Sequence, residues 1–142
     1  PGCVRRCGYS SVTLFALTPL IVLDSAKAGE DAYALIFDDA SGHALSFNCD
    51  ANTASVFDGV TGANLATIPL GGKPEFAASD GTGNVFANLE DSSVIVEIDT
   101  KHNRVTRRWS LAPCQSPSGL AIDVAHPRLF SGCPNTTMAH PD

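Results

Sequence analysis

The run Val94-Ile95-Val96-Glu97-Ile98-Asp99 is the most β-prone in the chain, and its form recurs along the whole sequence. Short apolar runs, each too brief for a helix, are separated by clusters of glycine, asparagine, aspartate, serine and threonine. Tyr33-Ala34-Leu35-Ile36-Phe37-Asp38, Phe76-Ala77-Ala78-Ser79-Asp80 and Gly119-Leu120-Ala121-Ile122-Asp123 are three such runs, each ending in aspartate and about 42 residues apart. A second set, Phe15-Ala16, Phe57-Asp58 and Ile98-Asp99, keeps nearly the same spacing. So does a third: Leu45-Ser46-Phe47-Asn48, Val85-Phe86-Ala87-Asn88 and Leu129-Phe130-Ser131-Gly132. No helical periodicity longer than two turns survives a count. Several short strands in a unit of this length are the pattern of β-propeller blades.

The unit from Gly71 to Leu111 is the clearest. Gly71-Gly72-Lys73-Pro74 forms a turn, because glycine permits positive φ and proline fixes the next backbone angle. Strands are expected at Glu75–Ser79, Val85–Leu89, Val94–Asp99 and Arg104–Leu111, with hairpin chemistry in Asp80-Gly81-Thr82-Gly83-Asn84. Gly29 to Leu70 repeats the plan. The expected fold is all-β: an incomplete β-propeller of four-stranded antiparallel blades, with two full blades and a half blade at each end. Its units run over about residues 11–28, 29–70, 71–111 and 112–142, and residues 1–10 fit none of them. A propeller closes with roughly four to eight blades, and an open arc leaves unpaired edges. The chain is therefore expected to be part of a longer protein, or to close as a homo-oligomer.

Charge narrows the partners. The net charge is −6, and residues 29–100 hold twelve acids against Lys73. Phosphate would be repelled there, so no nucleic-acid partner is expected. Arg104, Arg107 and Arg108 read as a solvated strand face. Arg5-Arg6, the apolar run 12–23 and Ala26-Lys27-Ala28 have the outline of an export leader. The competing reading, the outer half of a preceding blade, fits better because Phe15 lies in register with Phe57. The apolar run is too short for a membrane-spanning helix, so no membrane span is expected.

Residues 11–138 resemble the YVTN-type (YncE-like) β-propeller repeat family of bacteria. The resemblance rests on Pro117-Ser118-Gly119-Leu120-Ala121-Ile122-Asp123 with Arg128-Leu129-Phe130, echoed by Gly72-Lys73-Pro74-Glu75-Phe76-Ala77 and Val96-Glu97-Ile98-Asp99-Thr100. Ala16 and Ala32 depart from it, standing where other units have aspartate and proline. Family members are commonly exported, which implies a periplasmic or secreted location here. The resemblance also implies a non-catalytic binding or scaffold propeller for a protein or small-molecule ligand. Similar blades occur in redox-enzyme subunits and in metal-dependent lactonase-like hydrolases, and fold alone does not choose between these. A truncated gene remnant is a further alternative, kept open by the unmatched first residues.

Five cysteines stand at 3, 7, 49, 114 and 133. Cys114 lies in the loop leading into a first strand and Cys133 closes the second strand of the same unit. Antiparallel pairing brings such ends within disulfide reach. A Cys114–Cys133 disulfide is expected, with buried thiols or metal binding as the alternatives. Cys49 is read as a thiol, since no cysteine lies at 29–32 to meet it. Cys3 and Cys7 could clasp a metal or each other.

No cofactor is expected, and catalytic residues are not assigned. If the propeller mouth holds a ligand, the candidates are Glu75, at the start of an inner strand, and Asn48, Asn88 and Glu90, at the ends of second strands on the same face. These are oxygen donors of the kind calcium accepts. The plainer reading makes Asn48, Asn88 and Glu90 turn caps, as it does the recurring Asp38, Asp80 and Asp123. His43 and His126 are read as solvent-facing turn residues, Trp109 as packing between blades. Ser116 and Ser118 have no base near them in sequence, so a Ser-His-Asp site is unsupported.

Overall fold

A computed structural model describes residues 10–135 and 138–139, and among them it holds thirteen β-strands and no helix. The first complete sheet comprises β3 (Ala32–Asp38), β4 (His43–Asn48), β5 (Thr53–Asp58) and β6 (Asn64–Pro69), in that spatial order. The second comprises β7 (Pro74–Ser79), β8 (Asn84–Leu89), β9 (Val94–Asp99) and β10 (Arg104–Ser110), again in sequence order. Every neighbouring pair is antiparallel. Each sheet is thus a four-stranded meander, and the fold is an incomplete β-propeller. The strands fall within a residue or so of the stretches expected from the sequence.

A hairpin of β1 (Ser11–Leu17) and β2 (Leu20–Lys27) precedes these blades. Its two strands take the outer half-blade form expected for residues 11–28. β11 (Leu120–Asp123) and β12 (Arg128–Gly132) follow as the inner half of another blade. Here the structure adds to the expected half blade: beyond the turn at Pro134-Asn135, the short strand β13 (Met138–Ala139) pairs with Gly132 and Ser131. Cys3, Cys7 and His140 lie outside the described residues.

The first strands lie side by side, with β7 between β3 and β11. The backbone amide of Phe76 donates to the Ser118 carbonyl across the second gap. Faces alternate along each strand, so each blade packs one face on its predecessor and the other on its successor. Leu45, Phe47, Ala54, Val56, Ile68 and Leu70 of one blade meet Val85, Ala87, Leu89, Val96 and Ile98 of the next, all buried. Full burial of side chains of this size is worth about 1.5–3 kcal/mol each, so this seam is the main core. A smaller cluster of Ile95, Leu111, Cys114 and Leu129 joins the second blade to β11 and β12. Trp109 packs into that cluster beside Phe86, with ring centroids 6.3 Å apart. It lies between blades, as its expected role requires.

The recurring aspartates end strands because their carboxylates cap the turns that follow. Asp58 accepts from the backbone N–H groups of Val60 and Thr61, Asp99 from those of Lys101 and His102, and Asp123 from those of Ala125 and His126. Such bonds replace the ladder partners that the chain gives up as it turns. The Thr61 amide above all holds the Asp58 carboxyl below its ordinary pKa, and the side-chain bonds to His102 and His126, followed by these backbone bonds, do the same for Asp99 and Asp123.

Asp38 departs from this pattern. It caps Ser41 but is fully buried, and it also accepts from the Ser79 and Thr100 hydroxyls of the next blade, at 2.7 and 3.0 Å. His43 departs too: rather than facing solvent, it is half-buried, with Nδ1 3.2 Å from the Thr100 carbonyl oxygen. Both residues staple the two complete blades together at one end of the seam.

Candidate ligand-binding face

The loops that lead into the first strands and those that follow the second strands share one end of the blades. Antiparallel pairing of these strands sets that geometry, since the start of one lies beside the end of the other. In the second blade the Glu90 backbone amide donates to the Lys73 carbonyl, and Lys73 Nζ lies 3.3 Å from a Glu90 carboxylate oxygen. Asp91 accepts from the Lys73 amide at 3.0 Å. One residue past Pro74, Glu75 is 5% exposed, within electrostatic reach of the Glu90 carboxylate. Burial pushes the Glu75 pKa up, and the negative charge of Glu90 adds to the effect; the nearby Lys73 ammonium offsets part of it.

The preceding blade contributes Asp31 and Cys49 to the same face. The Cys49 amide donates to the Asp31 carbonyl, and the Cys49 Sγ donates to the carbonyl of Pro74 at 2.9 Å. Asp31 adopts φ 53°, and its buried Oδ1 has no hydrogen-bond partner. In the third unit Cys114 and Cys133 occupy this face and form a disulfide, with a Cα–Cα distance of 5.7 Å. The disulfide decides between the readings open for this pair.

Of the four sequence candidates, the structure brings Glu75 and Glu90 together and separates the two asparagines from them by function. Asn48 is fully buried; its amide donates to the Thr53 and Ser55 hydroxyls and its oxygen lies 3.4 Å from the Ser46 hydroxyl. A Cβ on Gly29 would lie 2.7 Å from the Asn48 side chain, so glycine is required for this approach. Asn88, also fully buried, donates to the Ser118 and Gly119 carbonyls and accepts from Ser131 at 3.0 Å. It ties the second blade to the third unit. Both side chains are thus engaged inside the fold. Neither amide faces solvent, because satisfying buried backbone and hydroxyl groups uses their hydrogen-bonding capacity.

Calcium fits these residues poorly: two of the four oxygen donors are spent, Glu75 is buried and Glu90 is paired with an ammonium. No group of three or more histidine, cysteine or acidic side chains among the described residues is arranged to hold a metal. What the face offers is an acidic, partly neutralised rim of Asp31, Glu75, Glu90 and Asp91 around Lys73. Sequence reading missed Asp31 and Lys73. The available signal was their position immediately before the first residue of an inner strand, Ala32 and Pro74 respectively.

No helix of the described residues is long and apolar enough to cross a membrane. No protein-family model matches the chain, and no curated protein does. Among solved structures it is similar to a functionally unknown protein from Desulfotomaculum acetoxidans DSM 771, with a TM-score of 0.75 at 12% identity. That likeness covers 93% of this chain and 48% of the other. It is also similar to Kuenenia stuttgartiensis hydrazine synthase, with a TM-score of 0.70 at 16% identity, over 86% of this chain and 35% of that one. The chain thus spans half or less of the length of these two proteins, and what it shares with them is the fold.

Proposed function

We propose that the chain is a YVTN-type propeller segment with a non-catalytic binding or scaffold role in an exported bacterial protein. The observation that carries this reading is the use made of Asn48 and Asn88. In a metal-dependent hydrolase built on such blades, amide oxygens at this end would face the channel and the metal. Here Asn48 is bonded within its own blade, and Asn88 ties the second blade to the third unit. Of the remaining acids, Glu75 is buried and Glu90 is paired with the Lys73 ammonium, an arrangement suited to a fixed rim rather than to a cation cage. The acidic rim favours a cationic or neutral ligand group over phosphate. The Cys114–Cys133 disulfide supports an oxidising compartment, periplasmic or extracellular.

Metal analysis of the purified protein, followed by calorimetric titration with calcium, magnesium and zinc, tests this reading against the hydrolase alternative. The expected result is no stoichiometric metal and no difference between the native chain and Glu75→Ala. One equivalent of metal, lost in Glu75→Ala, would overturn the reading.

A further inference from the structure

The first strand of the second blade, β7, has the first strands β3 and β11 on its two sides, so its surroundings toward the axis of the arc are set by strands already in place. All three lose their strict alternation of faces at the same point. On β7 the pairing steps from Pro74–Leu89 to Ala77–Ala87, which leaves Glu75 and Phe76 opposite Asn88 alone. On β3 it steps from Ala32–Asn48 to Ala34–Phe47, which makes Tyr33 the extra residue. Just before β11, the Ser118 amide donates to the Gly132 carbonyl and the Gly132 amide to the Gly119 carbonyl, so two residues again face one. Bulges of this kind re-aim side chains out of the pleat. Tyr33, Phe76 and Gly119 hold equivalent places, equally spaced along the sequence.

These places form an aromatic wall with a gap beside it. The Tyr33 and Phe76 rings meet edge to face, with centroids 5.8 Å apart and planes at 84°, and they are 39% and 47% exposed. At Gly119 a Cβ would have nothing within 4 Å, so the space there is open. The backbone around it is held, because Asn88 donates to the Ser118 and Gly119 carbonyls and the Phe76 amide donates to that of Ser118.

The acidic rim adjoins this wall through the chain itself: Glu75 precedes Phe76, and Asp31 stands two residues before Tyr33. Glu75 lies within electrostatic reach of Asp31 as well as of Glu90. The Lys73 ammonium sits against Glu90, 3.3 Å away. Asp31 Oδ1 is buried with no hydrogen-bond partner. The Glu75 carboxyl is buried too, and among the described residues no amide or ammonium donates to it. A buried carboxylate without donors is costly, and a cation that brings its own N–H groups removes that cost.

We infer that this face takes a small primary alkylammonium ligand, its N–H groups bonded to the Glu75 carboxylate and Asp31 Oδ1 and its alkyl stem lying on Tyr33 and Phe76 beside Gly119. The inference rests on the reading of the acidic rim as a ligand-binding face. Each part of such a ligand meets its complement. The charge meets four acids against one lysine, the donors meet two acceptors that lack them, and the polarised carbons next to nitrogen meet aromatic rings. Phosphate would be repelled. A bare calcium ion would gain nothing from the rings and would find too few oxygens.

Calorimetric and carbon-13 detected NMR titrations of the full chain with n-butylammonium, at constant ionic strength, test this, with n-butanol as the uncharged probe of similar shape. One saturable site is expected for n-butylammonium, with a Kd on the order of 1 mM. The Glu75 titration midpoint should fall on binding, and n-butanol should not saturate. Glu75→Gln and, separately, Phe76→Ala are expected to weaken binding about tenfold or more at unchanged far-UV circular dichroism. Gly119→Leu, which fills the open space and leaves every acid in place, should do the same. No saturation by n-butylammonium up to about 50 mM, equal binding of n-butanol, or unchanged affinity in any of the three variants would overturn the inference. The scaffold reading fails on a different result, stoichiometric metal, so the two failures are told apart.

Discussion

Replacing Asp38 by alanine is expected to lower the unfolding free energy by about 3 kcal/mol, measured as a fall in denaturant midpoint at unchanged slope. The carboxylate is fully buried and accepts from the Ser41 backbone amide and from the hydroxyls of Ser41, Ser79 and Thr100. Removing it leaves the Ser41 amide and the Ser41 and Ser79 hydroxyls without this acceptor, while the Thr100 hydroxyl keeps the Gly83 carbonyl, and a buried donor without a partner costs about 1–3 kcal/mol. Asp38→Asn keeps an accepting oxygen and is expected to lose less. The effect depends on pH in a defined direction. Burial raises the Asp38 pKa, but the bonds from Ser79, Ser41 and Thr100 outweigh burial and hold it below the ordinary 3.8. A carboxyl whose folded pKa lies below its unfolded one adds stability above the unfolded value. That contribution is lost as the pH falls through the folded value. The difference between wild type and Asp38→Ala should therefore be full at neutral pH and shrink below about pH 4. A difference unchanged down to pH 2 would contradict this role.

Loss of the Cys114–Cys133 disulfide is expected to cost about 3 kcal/mol, because it closes a loop with a sequence separation of 19. Its place explains where the loss would be felt. Cys114 belongs to the small cluster with Ile95, Leu111 and Leu129, which carries fewer buried groups than the seam between the complete blades. Cys114→Ser/Cys133→Ser, or the native chain under reductant, should show a lower denaturant midpoint. The third unit should lose protection from amide exchange before the two complete blades do. Equal midpoints with and without reductant would mean that the bridge contributes nothing to the folded state.

Strand positions were legible because the information lies within a few residues: alternation on each strand, glycine and asparagine at the turns, aspartate at the strand ends. The disulfide was legible for a related reason, since the ends of two paired strands must lie close. Contacts between blades were not. Asp38 finds Ser79 and Thr100 at separations of 41 and 62 residues, and nothing in its local sequence distinguishes it from Asp80 or Asp123. His43 and His126 occupy corresponding turns, yet only the first has a blade beside it at Thr100, while the second bonds Asp123 in its own turn. Asn48 and Asn88 were placed on the correct face, but their burial follows from the neighbouring strand and blade. Glu75 was picked out as a residue that does not recur between units, and its contact with Glu90 follows from the pairing of β7 with β8.

The rim of Glu75, Glu90 and Lys73 is where a framework and a metal site differ most, so the carboxyl of Glu75 is the group to watch. Carbon-13 detected NMR can follow its titration in the folded chain, with and without calcium. A midpoint above the ordinary 4.5, unmoved by calcium, is the result expected of a buried carboxyl beside the negative charge of Glu90. A midpoint below 4.5, or one driven down by stoichiometric calcium, would contradict the reading of this face as a non-catalytic scaffold.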